Sequence, residues 1–229
     1  MKVYYSDLNP KERIQKVIED YLKPLLDKEG FKFLKSQMIF KKSNEFFEYK
    51  ISFFNNRYNQ GNDSVEFEIY INIHSPKYKK WEKSYYNYDN KIGGTFINGG
   101  PAIGLKNWDN EFNEAGWYDL ARKDNEKLLN RIKHNIQEIA LPYFYKFNTI
   151  YSAIEELLNN KNDSNFLMIF DLLIINVDFD SALKFFENNN QWFESELAKK
   201  DEESYFDLNY KTNYLLRKKE YEKIKNRVL

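Results

Sequence analysis

Val65-Glu66-Phe67-Glu68-Ile69-Tyr70-Ile71-Asn72-Ile73-His74 alternates apolar and polar residues without a break. Alternation with period 2 marks a half-buried strand, because successive side chains leave opposite faces of an extended backbone. The stretch before it repeats the pattern, with Phe47, Tyr49, Ile51 and Phe53 on one side and Glu48, Lys50 and Ser52 on the other. The turn-rich loop from Asn55 to Asp63 joins the two into a hairpin. A shorter run at Met38 to Lys41, connected through Ser43-Asn44-Glu45, adds a third strand to an antiparallel meander.

Such a sheet needs a cover, and the flanking segments read as helices. Asn9-Pro10-Lys11-Glu12 has an Asn cap, Pro at the first helical position and Glu three residues after the cap. Ile14, Val17, Ile18, Tyr21, Leu22, Leu25 and Leu26 then recur at three and four, Pro24 predicts a kink, and Gly30 is placed to end the helix in the left-handed region. Downstream, Asp124 caps a helix striped by Leu128, Ile132, Ile136 and Ile139, with Asn125, Arg131, His134 and Asn135 off the stripe. Leu141-Pro142 marks a break or kink, and a further helix uses Phe144, Phe147, Ile150, Ile154, Leu157 and Leu158.

The fold class expected is α+β: an antiparallel meander of about four strands packed by N-terminal and central helices, then an all-helical C-terminal appendage. Residues 1–158 form the α+β domain, the Asn-rich run 159–165 is the linker, and 166–229 are the helical extension. The fourth strand is expected around Thr95-Phe96-Ile97, as an edge strand with a bulge between the tight turns of Gly93-Gly94, Gly99-Gly100-Pro101 and Gly104.

Composition narrows the function. In 229 residues, 35 basic side chains balance 35 acidic ones, so no global field attracts nucleic acid or an acidic membrane. Hydrophobic content of 42% with 18% aromatic residues supports a folded core, while a mean hydropathy of -0.77 describes a polar exterior. With no cysteine, disulfides, thiolate metal sites and a Cys nucleophile are excluded. The N-terminal residues carry no signal-peptide core, and the longest apolar run, Phe166 to Val177, is broken by Asp171 and Asn176 and is too short to span a bilayer. These features lead to the expectation of a cytoplasmic protein with no membrane or nucleic-acid partner.

From about Ile14 to Leu157 the chain resembles the bacterial family known as domain of unknown function 4304. The matching elements are the opening helix ending in Leu25-Leu26 and Gly30-Phe31, the aromatic strands Met38-Ile39-Phe40 and Phe46 to Phe54, and the alternating strand Phe67 to Ile73. Trp117-Tyr118-Asp119 before a helix ending at Leu141-Pro142-Tyr143-Phe144 completes the match. The resemblance implies the fold and a helical extension of the kind some members carry; it brings no catalytic residues. Some proteins of this general kind resemble immunity or antitoxin partners of bacterial toxins.

His74 shares a strand face with Glu66 and Glu68, the composition of a His/carboxylate site, although Glu48 and Lys50 on the neighbouring strand suit those acids as cross-strand charge partners. Gly99 to Gly104 followed by Lys106 departs from a phosphate-binding loop, since Leu105 stands where Lys is required. No motif calls for a catalytic residue, metal or cofactor. The aromatics near the glycines are the most suggestive feature, because rigid rings supply contact area at low entropic cost. The expected binding face comprises Tyr78, Trp81, Tyr85, Gly99, Gly100, Trp108 and Trp117, and its occupant is another bacterial protein. The alternative is a small-ligand protein or enzyme with its pocket under the Gly93 to Gly104 loops. The basic run Lys211, Arg217, Lys218, Lys219, Lys223, Lys225 and Arg227 reads as a solvated helix face.

Overall fold

The computed structural model describes residues 1–88, 95–159, 163–199 and 205–228. The chain forms two compact units, one of Met1–Ser75 with Phe96–Tyr145 and one of Pro76–Thr95 with Lys146–Leu229. The division expected at the Asn-rich run therefore falls elsewhere: the second unit begins at Lys146 and also takes in the helix that follows the long strand. Residues 160–162 of that run lie outside the described residues, as do Gly93 and Gly94.

The first unit is an antiparallel sheet with helices. Its strands are β1 (Lys32–Leu34), β2 (Ile39–Ser43), β3 (Glu48–Asn55), β4 (Glu66–His74), β5 (Phe96–Pro101), β6 (Asn113–Glu114) and β7 (Trp117–Asp119). They run in the order β1-β2-β3-β4-β7-β6, with β5 pairing β4 beside β7. Among the described residues the sheet thus has seven strands, against the expectation of about four. Strands of two or three residues, such as β1, β6 and β7, are too short to show an alternation in sequence. Along β4 the burial alternates as the sequence does, with Phe67, Ile69, Ile71 and Ile73 inside. β5 includes the glycines that were expected to flank it, and its pairing shifts register between Ile73 and His74, which is a bulge.

The helices of this unit are α1 (Pro10–Val17), α2 (Lys23–Lys28), α4 (Asn125–Asn135) and α5 (Leu141–Tyr145). The Asn9 side chain accepts from the Glu12 amide at 3.1 Å, and Asp124 accepts from the Lys127 amide at 3.2 Å, so both predicted caps form. Gly30 takes φ +81°, and the Phe31 amide closes the helix end on the Leu26 carbonyl at 2.9 Å. Neither internal proline ends its helix. A π-helical turn, Ile18–Leu22 or Ile136–Ala140, links α1 to α2 and α4 to α5 and ends two positions before Pro24 and Pro142. Proline lacks an N–H and crowds the carbonyl four residues back; the wider turn accommodates both defects without stopping the helix. Phe144 of α5 packs on Phe31 and on Tyr49 of β3, with ring centroids 5.8 and 5.2 Å apart.

One polar knot ties the chain start to α4. Arg13 is wholly buried, and its guanidinium donates to the carbonyls of Tyr4 at 2.8 Å and Leu120 at 2.6 Å. Asn125, also buried, accepts from the Tyr4 amide and donates to the Leu120 carbonyl, each at 2.8 Å. Buried polar groups need such partners, because an unpaired one carries its full desolvation cost. Asn125 and Asn135, expected on the outer side of α4, are therefore core residues.

The second unit is helical: α3 (Pro76–Tyr86), α6 (Ile150–Asn159), α7 (Asp163–Ile175), α8 (Phe179–Leu197) and α9 (Tyr205–Val228). α7 packs against α6, α8 and α9, and burial of Phe166, Leu167, Ile169, Phe170, Leu172, Leu173 and Ile174 explains why this stretch is apolar all round. No helix among the described residues is long and apolar enough to cross a membrane.

The turn from α7 to α8 holds a β-branched residue in the left-handed region. Val177 sits at φ +58° with 70% of its surface exposed, while the amides of Val177 and Asp178 reach back to the carbonyls of Ile174 and Leu173. Glycine is preferred at this position because it has no Cβ to crowd the carbonyl. Val177→Gly is expected to raise stability by about 1 kcal/mol, read as a higher denaturation midpoint at unchanged slope; a lower midpoint would show that the valine makes compensating contacts.

Candidate functional site

The acids and histidine of β4 do not converge. Glu66, Glu68 and His74 share one straight strand, and at roughly 3.3 Å per residue the two ends of that set stand about 26 Å apart. The register places Glu48 opposite His74, Lys50 opposite Asn72 and Phe54 opposite Glu68, so the expected pairing of Lys50 with the two glutamates is replaced. Glu48 instead bridges to Lys41 at 2.7 Å and to Lys50 at 3.7 Å, and Glu66 accepts from the Asn56 side chain. Burial, reinforced by the Lys50 charge and opposed by Glu48, lowers the pKa of His74, which favours a neutral ring beside Phe96. Among the described residues no group of three or more His, Asp or Glu side chains is arranged to hold a metal.

The seven residues of the expected binding face divide between the two units. Gly99, Gly100, Trp108 and Trp117 belong to the sheet unit, and Tyr78, Trp81 and Tyr85 to the helical one. Trp108 is a core residue: it is buried and its indole N–H donates to the Tyr118 hydroxyl at 2.7 Å. Trp117 is half-buried in β7, and Gly99 and Gly100 lie in β5. Tyr78 is buried as well, which leaves Trp81, half-buried, and Tyr85, 39% exposed, as the accessible members of that set on α3.

On α3 these rings form a ladder. Trp81 stacks on Tyr85 with centroids 4.6 Å apart and on Tyr78 at 6.3 Å, and Tyr86 meets it edge-on at 5.8 Å. The inner rungs are fixed by polar contacts: Tyr78 donates to Asp171 at 2.8 Å and Tyr86 to the other oxygen of that carboxylate at 2.6 Å. Tyr85 donates to Glu220 at 2.7 Å and Tyr88 to Asn209 at 2.6 Å.

At the root of the ladder lies a feature that periodicity did not disclose. Arg217, 1% exposed, donates to both Asp171, which is fully buried, and Glu82, the latter at 2.7 Å. Its guanidinium also covers the Tyr86 ring at 4.4 Å and donates to the Asn213 side chain at 2.8 Å. The basic run of α9 is thus not wholly a solvated face: Lys218 and Lys225 make exposed pairs with Glu194 and Glu187, while Arg217 points inward. Burial pushes the Asp171 carboxyl above the usual range, opposed by Arg217 and the two hydroxyls; burial is also the largest influence on Arg217 and works against its charge, but Asp171, Tyr78 and Tyr86 together hold the guanidinium protonated. The only hint in sequence was Asp171 inside an otherwise apolar run.

Each unit carries a groove. In the sheet unit, Lys127, Asn130, Arg131 and His134 follow one another at helical spacing along α4 and, with Glu111 and Phe112, line an open groove of about 370 Å³. Arg131 is held by Asp109 at 2.8 Å and Glu111 at 2.6 Å. In the helical unit, Leu158, Phe166, Ile169, Phe185 and Trp192 line a small apolar cleft. No family model matches the chain, and no curated protein or solved structure matches it either.

Removing the buried cation tests the role of the cluster. Arg217→Met is expected to lower stability by about 3–5 kcal/mol at neutral pH, because the fully buried Asp171 stays behind without its cation. With Arg217 gone the folded-state pKa of Asp171 rises further above its unfolded value near 3.9, so the site is stable below that value and loses stability as pH rises through the raised one. The deficit against the parent, measured by urea denaturation, should therefore shrink as pH falls toward 4; a deficit independent of pH would count against this account.

Proposed function

We propose that the chain is a non-catalytic, cytoplasmic protein-binding module, an immunity- or antitoxin-like partner of another bacterial protein. The observation that carries the reading is the α3 ladder. Trp81 and Tyr85 are accessible aromatic rings on a helix whose inner face is pinned through Tyr78, Tyr86 and Glu82. Rings held in place before binding lose little entropy on contact, which is why anchored Trp and Tyr dominate interface energetics. The balanced charge favours a protein occupant over nucleic acid, whose phosphates call for clustered cations.

The test is capture from the native lysate with the full chain as bait, beside Trp81→Ala/Tyr85→Ala. Loss of a stoichiometric partner, at least about tenfold, at an unchanged melting temperature is the expected result; undiminished capture would remove α3 as the contact face. Trp108 is unsuitable for this purpose because its replacement disturbs the core.

A small-ligand reading has its own support, at a different place from the loops first considered. The α4 groove has the volume of ordinary ligand sites, roughly 300–1,000 Å³, and presents an ammonium, an imidazole and an amide together. A small dicarboxylate or phosphate ester should then raise the melting temperature of the parent but not of Lys127→Ala/His134→Ala; an equal shift in both would exclude the groove.

A further inference from the structure

Position 99 admits only glycine. Gly99 sits in β5 at φ +125°, and a Cβ there would lie 2.1 Å from the Ile71 carbonyl oxygen and 2.8 Å from the Cα of Asn72. The preceding residue is Asn98, and its Oδ1 accepts a hydrogen bond from the Gly99 N–H at 2.9 Å. The carboxamide is thus folded back over the next backbone nitrogen, and the missing Cβ leaves that nitrogen unshielded. This is the one Asn-Gly step in the sequence. Asn98 is half-exposed, so water reaches it. Among the described strands β5 pairs with β4 alone.

We propose that Asn98-Gly99 is a self-modification site, at which the chain converts its own asparagine to a succinimide and then to aspartate or isoaspartate. The backbone nitrogen of Gly99, deprotonated by solvent base, attacks Cγ of Asn98. An N–Cγ bond forms, the Cγ–Nδ2 bond breaks, and ammonia leaves with a proton from water. Water then adds to one ring carbonyl. Opening at Cγ yields aspartate, whereas opening at the Asn98 main-chain carbonyl yields isoaspartate, with one extra methylene in the backbone. Water is the only co-reactant. Holding nucleophile and carbonyl side by side replaces a diffusional encounter with an intramolecular one.

The products bear on the fold. Asn98 faces Ile73 across the β4–β5 ladder, and Ile73 is buried, so either product places a new carboxylate beside the core face. Isoaspartate also displaces Gly99 and Gly100 from their places opposite Asn72 and Ile71. The glycine that close packing demands is what makes the asparagine reactive, so the fold can shed this chemistry only by changing residue 98.

The experiment is incubation of the folded full chain at mildly alkaline and mildly acidic pH, beside the same chain unfolded in denaturant, followed by peptide mapping for ammonia loss and isoaspartate. Conversion of Asn98 in the folded chain should exceed that of every other asparagine at least about tenfold, rise with pH, and be no slower than in the unfolded chain. An unmodified Asn98 in the folded chain, under conditions that convert the unfolded one, would overturn the proposal. Asn98→Ser should abolish any fall in melting temperature on ageing; an identical fall in that variant would show that β5 chemistry is not its cause.

Discussion

Strand β4 is hydrogen-bonded along both edges, and that constraint organises the sheet unit. One edge carries β3 from Phe67 to His74, and the other is shared between β7 at its start and β5 at its end. A central strand cannot shift by one residue without moving Phe67, Ile69, Ile71 and Ile73 into solvent, so its register is fixed by burial. The bulge at Ile73/His74 and the glycines of β5 follow from fitting a further strand against it, as the clash at Gly99 makes plain.

The helical unit rests on a different principle. Its last helix turns Asn209, Asn213, Arg217 and Glu220 inward beside Tyr214, Tyr221 and Ile224 and leaves Leu208 and Leu215 exposed, so its buried side mixes polar and apolar groups. The polar side is matched by tyrosines and Glu82 of α3 and by Asp171 of α7. A buried charge network of this kind is weak evidence for extra stability, since hydrophobic replacements often do as well. Its effect is on specificity: a helix lacking hydroxyls and a carboxylate at these positions would leave Arg217 and Asp171 unsatisfied. The same network pins the inner face of α3 through Tyr78, Tyr86 and Glu82.

The expected binding face shows where sequence reasoning about function ran out. Trp81 and Trp108 look alike in sequence, each an aromatic residue near turn-forming neighbours. One is half-buried on a helix, and the other is buried with its N–H satisfied by Tyr118. The difference lies in a partner ten residues away on β7, invisible to local composition. The charge partners expected for the acids of β4 differ for a related reason, since the register that puts Glu48 opposite His74 and Phe54 opposite Glu68 is a property of the paired strands and not of either segment alone.

What the sequence determined by itself is whatever depends on neighbours within a few residues. The alternation in β3 and β4, the caps at Asn9 and Asp124 and the left-handed stop at Gly30 all follow from local geometry and local hydrogen bonds, and each was legible. The three shortest strands were not, because they have too few residues to display a period. Tertiary structure alone decided which polar side chains go inside. Arg13 meets Leu120 from 107 positions away, and Arg217 meets Glu82 from 135, so nothing near either arginine announces that its charge will be buried. A buried guanidinium is tolerable only where acceptors converge on it, and that convergence is a property of the folded chain.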